Sequence, residues 1–308
     1  MKSVKKNKDF RGKKINAPFG YFGSKNKIAL QLCTHLPPHH CWVEAFCGSA
    51  ALTLRKSPSA IEVINDLDDE IINFFEQLRN NFDALRKAIE LTPYAEKELI
   101  NARIEVNNLS NLERARRFLV QSMMAINGVF GKEKGGFSYS DSYTRNGHEA
   151  RVNRWINLPE RLALVVTRLK DVRIENKDAN KLIKRYLNRP ATLIYLDPPY
   201  LGERTNGYSF DANVEEFHVE LLELANQANC MIFVSGYENN LYNSMLSEKK
   251  GWQKGTIDTF TKDTTGKIHD RTEVVWMNSY FQEALRLNEV PIVLSEKERK
   301  QGKINPLR

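Results

Sequence analysis

Thr192-Leu193-Ile194-Tyr195-Leu196-Asp197-Pro198-Pro199-Tyr200 reads as a short buried strand that stops at a carboxylate, two prolines and an aromatic ring. The prolines remove two backbone N–H donors, fix two φ angles and keep the preceding residue extended. The chain therefore leaves the strand stiff, with carbonyl oxygens that no neighbouring amide competes for. A plain turn needs far less. Asp197 and Tyr200 bracket a corner in which an acceptor side chain, acceptor carbonyls and a flat ring are held still together.

Outward from this corner, strands and helices alternate. Residues 42–46 and 61–64 read as strands. The first leads into Cys47-Gly48-Ser49-Ala50 and an Ala/Leu-rich helix, the second into NDLDDEIINFFEQLRN, with apolar positions at Ile71, Ile72, Phe75 and Leu78. Segments 172–174, 192–196 and 230–235 continue the strand series, and 256–260 with 272–277 reads as a hairpin at the sheet edge. This pattern predicts an α/β fold: a Rossmann-like, doubly wound and mostly parallel sheet with its ligand at the carboxyl ends of the strands. From about residue 80 to 165 the periodicity is helical (85–91, 94–106 and 112–126), followed by the looser NGVFGKEKGGFSYSDSYTRNGHEARVNR. The expected organisation is a discontinuous sheet domain (15–79 and 166–290), an inserted helical domain (80–165) and basic tails (1–14 and 291–308).

With 308 residues, 41% hydrophobic and 27% charged, the composition is that of an ordinary soluble protein. No apolar run approaches the length of a bilayer span. The opening MKSVKKNKDFRGKK has no apolar stretch behind its charges, so no secretory signal and a cytoplasmic location are expected. Four cysteines without a CxxC pair argue against a disulfide framework or a zinc site. The net charge of +8 is unevenly placed: residues 1–14 hold seven Lys/Arg against one acid, and residues 112–173 hold twelve against six. A basic tail and a basic internal segment fit a polyanionic partner, while solvated, solubilising faces would give the same composition.

Several residues carry recognisable chemistry. Gly48, between a strand and a helix, lets a ligand approach the backbone and the free N–H groups of the helix start. Asp66 ends the next strand, where nucleoside-binding sheets place a carboxylate on the ribose hydroxyls. Asp68 and Asp69 read as first-turn helix acids. PFGYFGSK (18–25) sets two glycines, an aromatic pair and Lys25 before a helix running to residue 35. It suits an anionic group, and equally a simple cap with Ser24 as N-cap. At the corner itself, the exocyclic amine of adenine is a poor nucleophile because its lone pair is delocalised into the ring. Two acceptors aimed at its hydrogens, the Asp197 side chain and the Pro198 carbonyl, pull that nitrogen towards tetrahedral geometry. Tyr200 offers a stacking face, worth about 1–3 kcal/mol per base, to a base that has left the duplex.

DPPY, with FCGSA, Asp66 and GYFGSK, resembles the Dam-like (D12 class) DNA adenine N6-methyltransferases, from Pro18 through VSGYENNLY to TEVVWMN. The resemblance implies S-adenosyl-L-methionine as cofactor, double-stranded DNA as partner and a target-recognition domain between the early and late motifs. It leaves open a companion restriction endonuclease. By resemblance, Tyr21, Phe22, Gly23, Lys25, Asp66, Asp178 and Asp197 contact the methyl donor, together with the turn carrying Glu44, Phe46, Gly48 and Ala50. Asp197, Pro198, Pro199 and Tyr200 hold the target amine, with Tyr208 or Phe210 as further clamps. Residues 127–154 are expected along the DNA, with Lys132, Lys134, Arg145 and Arg151 as contacts. NGVFGKEKGGFSYS is poorer in Asn and Arg than the matching segment of GATC-modifying members, so the recognised sequence stays open. Tyr21 stands where several members have Trp.

Other polar residues read as structural. His39-His40-Cys41 has no partner cluster at ligand spacing, so no metal is expected. His218 falls in the first turn of a helix, Cys47 reads as a small buried residue, and Trp155 and Trp252 as core. Two further functions compete: methylation of an RNA base or a protein glutamine amide, whose enzymes tend to carry Asn at the position of Asp197, and a catalytically dead DNA-binding homologue.

Overall fold

In chain order the strands are β1 (Cys41–Glu44), β2 (Ile61–Asn65), β3 (Thr144–Arg145), β4 (His148–Glu149), β5 (Val172–Glu175), β6 (Thr192–Leu196), β7 (Met231–Gly236), β8 (Gln253–Lys262) and β9 (Ile268–Met277). They belong to a computed structural model that describes residues 15–20, 25–126, 128, 135–201, 215–262 and 268–291, with backbone alone at 259–262 and 268–271. Seven strands form one sheet in the order β5-β2-β1-β6-β7-β9-β8, and β3 pairs with β4 in a separate two-stranded ribbon. The pairs β1–β2, β1–β6, β2–β5 and β6–β7 are parallel, whereas β9 runs antiparallel to both its neighbours. The sheet is thus the doubly wound α/β arrangement expected from the alternation. The chain moves outward from β1 through β2 to β5, then restarts on the other side with β6 and β7. The strand order reverses between β1 and β6, and that crevice is where such sheets bind ligands.

Strand alternation divides the core. Val43, Val63, Ile194, Ile232 and Val234 face helices Ala179–Lys184, Glu215–Gln227 and Asn240–Met245. Trp42, Leu193, Tyr195, Met231, Phe233 and Val275 face helices Ala29–Thr34, Ala51–Arg55 and Ser279–Leu287. The alternate residues of a strand point to opposite faces, so each short strand serves both layers. A third apolar cluster joins Phe19 and Ile64 to helix Asp69–Asn80 and continues without a break into Phe82–Glu90, Glu96–Arg103, Asn111–Met124 and Leu158–Leu169. Phe19 meets Phe74 and Phe118 edge-on, with centroids 5.2 and 4.9 Å away. The helices of 80–165 therefore share a core with the sheet's flanking helix.

Boundaries shift by a few residues where capping decides. NDLDDEIINFFEQLRN begins its helix at Asp69 because Asp68 caps it, accepting the Glu70 N–H at 2.9 Å. The helix after PFGYFGSK starts at Ala29 with Ile28 at its N-cap position, behind a 3-10 turn at Lys25–Lys27, and Ser24, read as a cap, lies outside the described residues. The edge hairpin is longer than expected, ten residues in each strand. Trp155 and Trp252 are core residues, each with its indole N–H satisfied, by the Thr92 carbonyl and Asn226 respectively. His218 is fully buried in helix Glu215–Gln227, its Nδ1 2.8 Å from the Tyr242 hydroxyl.

One buried amide fixes the loops around the crevice. Asn65, at the end of β2, donates to the carbonyls of Ala45 (3.0 Å) and Lys177 (2.9 Å) and accepts the Lys177 N–H at 2.9 Å. It thereby ties the ends of β1, β2 and β5 together. Asn65→Ala leaves three backbone groups without this partner, and a loss of about 1–3 kcal/mol is expected. Urea unfolding should show it as a lower midpoint at unchanged slope.

Candidate active site at the carboxyl ends of the strands

Four side chains make the rim of this sheet polar. Glu44, Tyr195, Ser235 and Glu273 lie on β1, β6, β7 and β9, on the face that carries Trp42, Leu193, Phe233 and Val275. All four are buried. Ser235 Oγ lies 2.6 Å from the Tyr195 hydroxyl and donates to Asp197 Oδ1 at 3.2 Å. The corner predicted from DPPY thus has a second anchor: a hydroxyl chain from β6 through β7 holds the carboxylate from behind.

Lys25 enters from the opposite end of the sequence. Only 6% exposed, its ammonium lies 2.7 Å from Asp197 Oδ1, 3.2 Å from Glu273 Oε1 and 2.5 Å from the Tyr200 hydroxyl. The same nitrogen sits 5.0 Å from the centroid of the Tyr200 ring. Tyr200 in turn donates to Glu273 Oε1 at 3.4 Å, and its ring packs 4.4 Å from that of Tyr237. Burial works against the ammonium, but Asp197 and Glu273 outweigh it and hold its pKa above the ordinary lysine value. Burial raises the Asp197 pKa, and Lys25 and Ser235 offset only part of this. Glu273 is raised for the same first reason, with the Asp197 charge adding to it and Lys25 opposing it.

The turn after β1 has two left-handed residues, Gly48 (φ 46°) and Ala50 (φ 53°). The second is unusual for a residue with a Cβ. The Gly48 N–H donates to Asp66 Oδ2 at 2.8 Å, and the Asp68 N–H donates to Oδ1 at 3.1 Å. Burial pushes the Asp66 carboxyl up to about 6 against these two bonds. A carboxylate offers about four lone-pair sites, so Asp66 retains acceptor capacity at the tip of β2. Phe46 is half-buried and meets Phe217 edge-on at 6.2 Å.

Two expected residues have structural employment. Glu44 Oε2 accepts the Thr53 backbone N–H at 3.0 Å and also the Thr53 hydroxyl, so it braces helix Ala51–Arg55 from beneath. Asp178 follows β5 and is the N-cap of helix Ala179–Lys184, accepting the Lys181 N–H at 3.0 Å. Tyr21, Phe22, Gly23, Lys132, Lys134, Tyr208 and Phe210 lie outside the described residues. Arg145, on β3, and Arg151, in helix Ala150–Ile156, are exposed and stand apart from the Lys25–Asp197 cluster in the fold. Among the described residues no group of three or more His, Cys, Asp or Glu side chains is placed to hold a metal ion. No helix among them is long and apolar enough to cross a membrane.

Sequence reasoning passed over Glu273 and Ser235. TEVVWMN and VSGYENN contain them, but nothing local distinguishes a glutamate within a strand. Only the alternation of β9, which puts Glu273 in phase with Val275, carried a signal.

A reversal of strand order, with a rigid carboxylate corner beside it and a second carboxylate at the neighbouring strand tip, marks the crevice in which doubly wound sheets bind ligands. Residues 21–273 match the model of the D12 class N6 adenine-specific DNA methyltransferases, and the chain belongs to that family. Among solved structures it is similar to the Escherichia coli yhhF protein, described as a methyltransferase, at 11% identity and a TM-score of 0.37, covering 88% of this chain and 94% of the other. It is also similar to a precorrin 8w decarboxylase of Methanobacterium thermoautotrophicum, at 9% identity and a TM-score of 0.33, over 85% and 96% of the two chains. A SAM-dependent methyltransferase of Agrobacterium tumefaciens matches at 14% identity and a TM-score of 0.26, over 42% and 46%.

The buried Glu44 gives a pH signature. Burial pushes its carboxyl from 4.5 up to about 7, against the two Thr53 bonds. Between those values the folded protein holds a proton that the unfolded chain has released, so this group's contribution to stability falls as pH rises through the window. Glu44→Gln removes the titration and keeps an acceptor for Thr53. Relative to wild type, the variant should gain on the order of 3 kcal/mol between pH 4.5 and 8, read as the difference in urea midpoints.

Proposed function

We propose that this chain is a site-specific DNA adenine N6-methyltransferase that uses S-adenosyl-L-methionine on an adenine flipped out of double-stranded DNA. The observation that supports it most is the corner itself. Asp197 is half-buried, fixed by Lys25 and Ser235, and followed by two prolines that leave the Pro198 carbonyl free of local amide competition. An extruded base stacking against Tyr200 presents its exocyclic amine to these two acceptors.

The residues fit the implied cofactor. Gly48 allows close approach of a ligand to the backbone, and the Asp66 carboxylate, with lone pairs to spare, suits the two hydroxyls of a ribose. Asp66 and the Gly48 turn would hold the nucleoside end, and the rim near Lys25 and Asp197 the other. When bound, the cofactor supplies a methyl group on a sulfonium, a leaving group that departs neutral. The amine nitrogen would bond to that methyl carbon as the carbon–sulfur bond breaks, with the electron pair passing to sulfur. Asp197 orients the amine, concentrates its lone pair and accepts the hydrogen that the nitrogen gives up.

For the duplex, the helical segment 80–165 with its ribbon is the proposed reading surface. Arg154 and Arg161 have lowered pKa values, through burial first and, for Arg154, through the charges of Arg161 and Arg151. Arg161 donates to the Ala17 carbonyl at 3.1 Å, next to the 18–25 motif. Among the described residues, Arg145, Arg151 and Arg154 have no carboxylate partner. Guanidinium groups without a carboxylate partner suit the phosphates of a duplex, and the exposed rings of Tyr139 and Tyr143 lie in the same stretch of sequence.

Incubation with labelled S-adenosyl-L-methionine and either duplex DNA or RNA tests the function. Label should appear on adenine of duplex DNA, and transfer to RNA or protein alone would overturn the reading. Asp197→Ala should lower the single-turnover rate by three orders of magnitude or more while DNA affinity stays within a few-fold. Arg151→Glu and Arg154→Glu should weaken DNA binding and flatten its salt dependence, as loss of phosphate contacts does.

A further inference from the structure

The Lys25 cluster contains one carboxylate more than the corner requires. Glu273 is 4% exposed and comes from β9, one residue beyond the point where that strand stops pairing with β7. Buried glutamates are rare because a charge loses several kcal/mol of hydration, and a sheet strand offers no local compensation. Val or Thr would suit the position better if packing were its only role. Among the described residues, the titratable and charged groups facing Glu273 are Lys25 at 3.2 Å, the Tyr200 hydroxyl at 3.4 Å, the Asp197 charge and the Tyr195 phenol. Its partner across β8 is the apolar Ile257. Each of these titratable groups belongs to the corner or, like Tyr195, to the hydroxyl chain behind it.

We propose that Glu273 is a positioning residue of the corner: by sharing the Lys25 ammonium and holding the Tyr200 hydroxyl, it keeps Asp197 charged but under-compensated, ready to accept a hydrogen from the substrate amine. This rests on the methyltransferase reading above for the identity of the amine. With both carboxylates ionised and Lys25 protonated, the cluster carries one net negative charge. As the amine nitrogen gains positive character in forming its bond to carbon, that surplus stabilises it. When the hydrogen passes to Asp197, the cluster becomes neutral, with Lys25 balancing Glu273 alone. Without Glu273, the cluster is neutral before the step and positive after it, and Lys25 binds Asp197 as a closed pair with low proton affinity. Burial and the mutual repulsion of the two carboxylates raise both pKa values in the intact protein, as this arrangement requires.

The hydroxyl contact has a second consequence. Tyr200 accepts from Lys25 and donates to Glu273, which fixes the rotation of its ring. Tyr200→Phe would keep the stacking face and lose this lock.

The test uses the full-length protein as wild type, Glu273→Gln and Glu273→Asp. The titration of Asp197 is followed by carbon NMR of labelled aspartate carboxyls, and methyl transfer to duplex DNA by single-turnover rate against pH. For Glu273→Gln, the Asp197 midpoint should fall by about one pH unit or more. The rate should drop at least tenfold with its acid limb shifted the same way, and the affinities for DNA and cofactor should be unchanged. Glu273→Asp should recover part of both effects, and it carries the test if the Gln variant does not fold. An unmoved Asp197 midpoint in a folded variant would overturn the proposal, as would a rate loss with an unmoved acid limb and no recovery in Glu273→Asp. A shifted midpoint in a protein whose wild type transfers no methyl group to DNA would support the coupling and remove the methyltransferase reading instead.

Discussion

The ammonium of Lys25 is out of water, and the rest of the site depends on how that is made tolerable. Dehydrating such an ion costs several kcal/mol, recovered only if its hydrogen-bond geometry is good on several sides. Asp197, Glu273 and the Tyr200 hydroxyl provide this from three directions. Each comes from a different part of the fold: the end of β6, strand β9 between β7 and β8, and the far side of the proline corner. Placing one cation correctly therefore fixes the turn at Lys25–Lys27, the corner and the hairpin relative to one another. Remove the cation, and two carboxylates face each other across a dry rim.

Around that point the sheet divides its labour by height. Lower in each strand the alternation is apolar on both faces, and helices cover both. At the carboxyl ends the same alternation continues with Glu44, Tyr195, Ser235 and Glu273, still buried but polar. Glu44 and Asn65 satisfy backbone groups of the surrounding turns, so they act as scaffolding. Asp66 and Asp197, at the ends of β2 and β6, keep acceptor capacity beyond the bonds they make. Raised carboxyl pKa values along this rim mean that the native structure holds its acids at some cost in stability, as functional sites commonly do.

Where chemistry is written in adjacent residues, the sequence was legible. The run from Thr192 to Tyr200 gives the strand, its end and the acceptor without reference to anything else, and the observed β6 has the expected bounds. Gly48 and Asp66 could be paired because the connection between neighbouring parallel strands is short and stereotyped. Glu273 and Ser235 were not legible, since their meaning lies in strand pairing across the sheet, and a glutamate in TEVVWMN looks like any surface residue on an edge. Capping also resisted reading. Asp68 competes with Asp69 for the same role, and only the hydrogen bond to Glu70 decides between them. Lys25 read as a cofactor contact, and its ammonium is engaged with residues separated from it by most of the chain.

That separation bears on how the molecule comes into being. Lys25 precedes Tyr200 by 175 positions, and Glu273 follows later still. Contacts between remote segments form late, after the entropy of closing the intervening chain has been overcome. In a nascent or partly folded chain, Lys25 therefore remains hydrated and Asp197 unrestrained, and the parallel core can assemble around an unfinished rim. The edge hairpin closes the circuit. A chain cut short before β9 would lack one of the two acids that compensate the ammonium, so competence of the corner reports, in effect, that translation has passed β9.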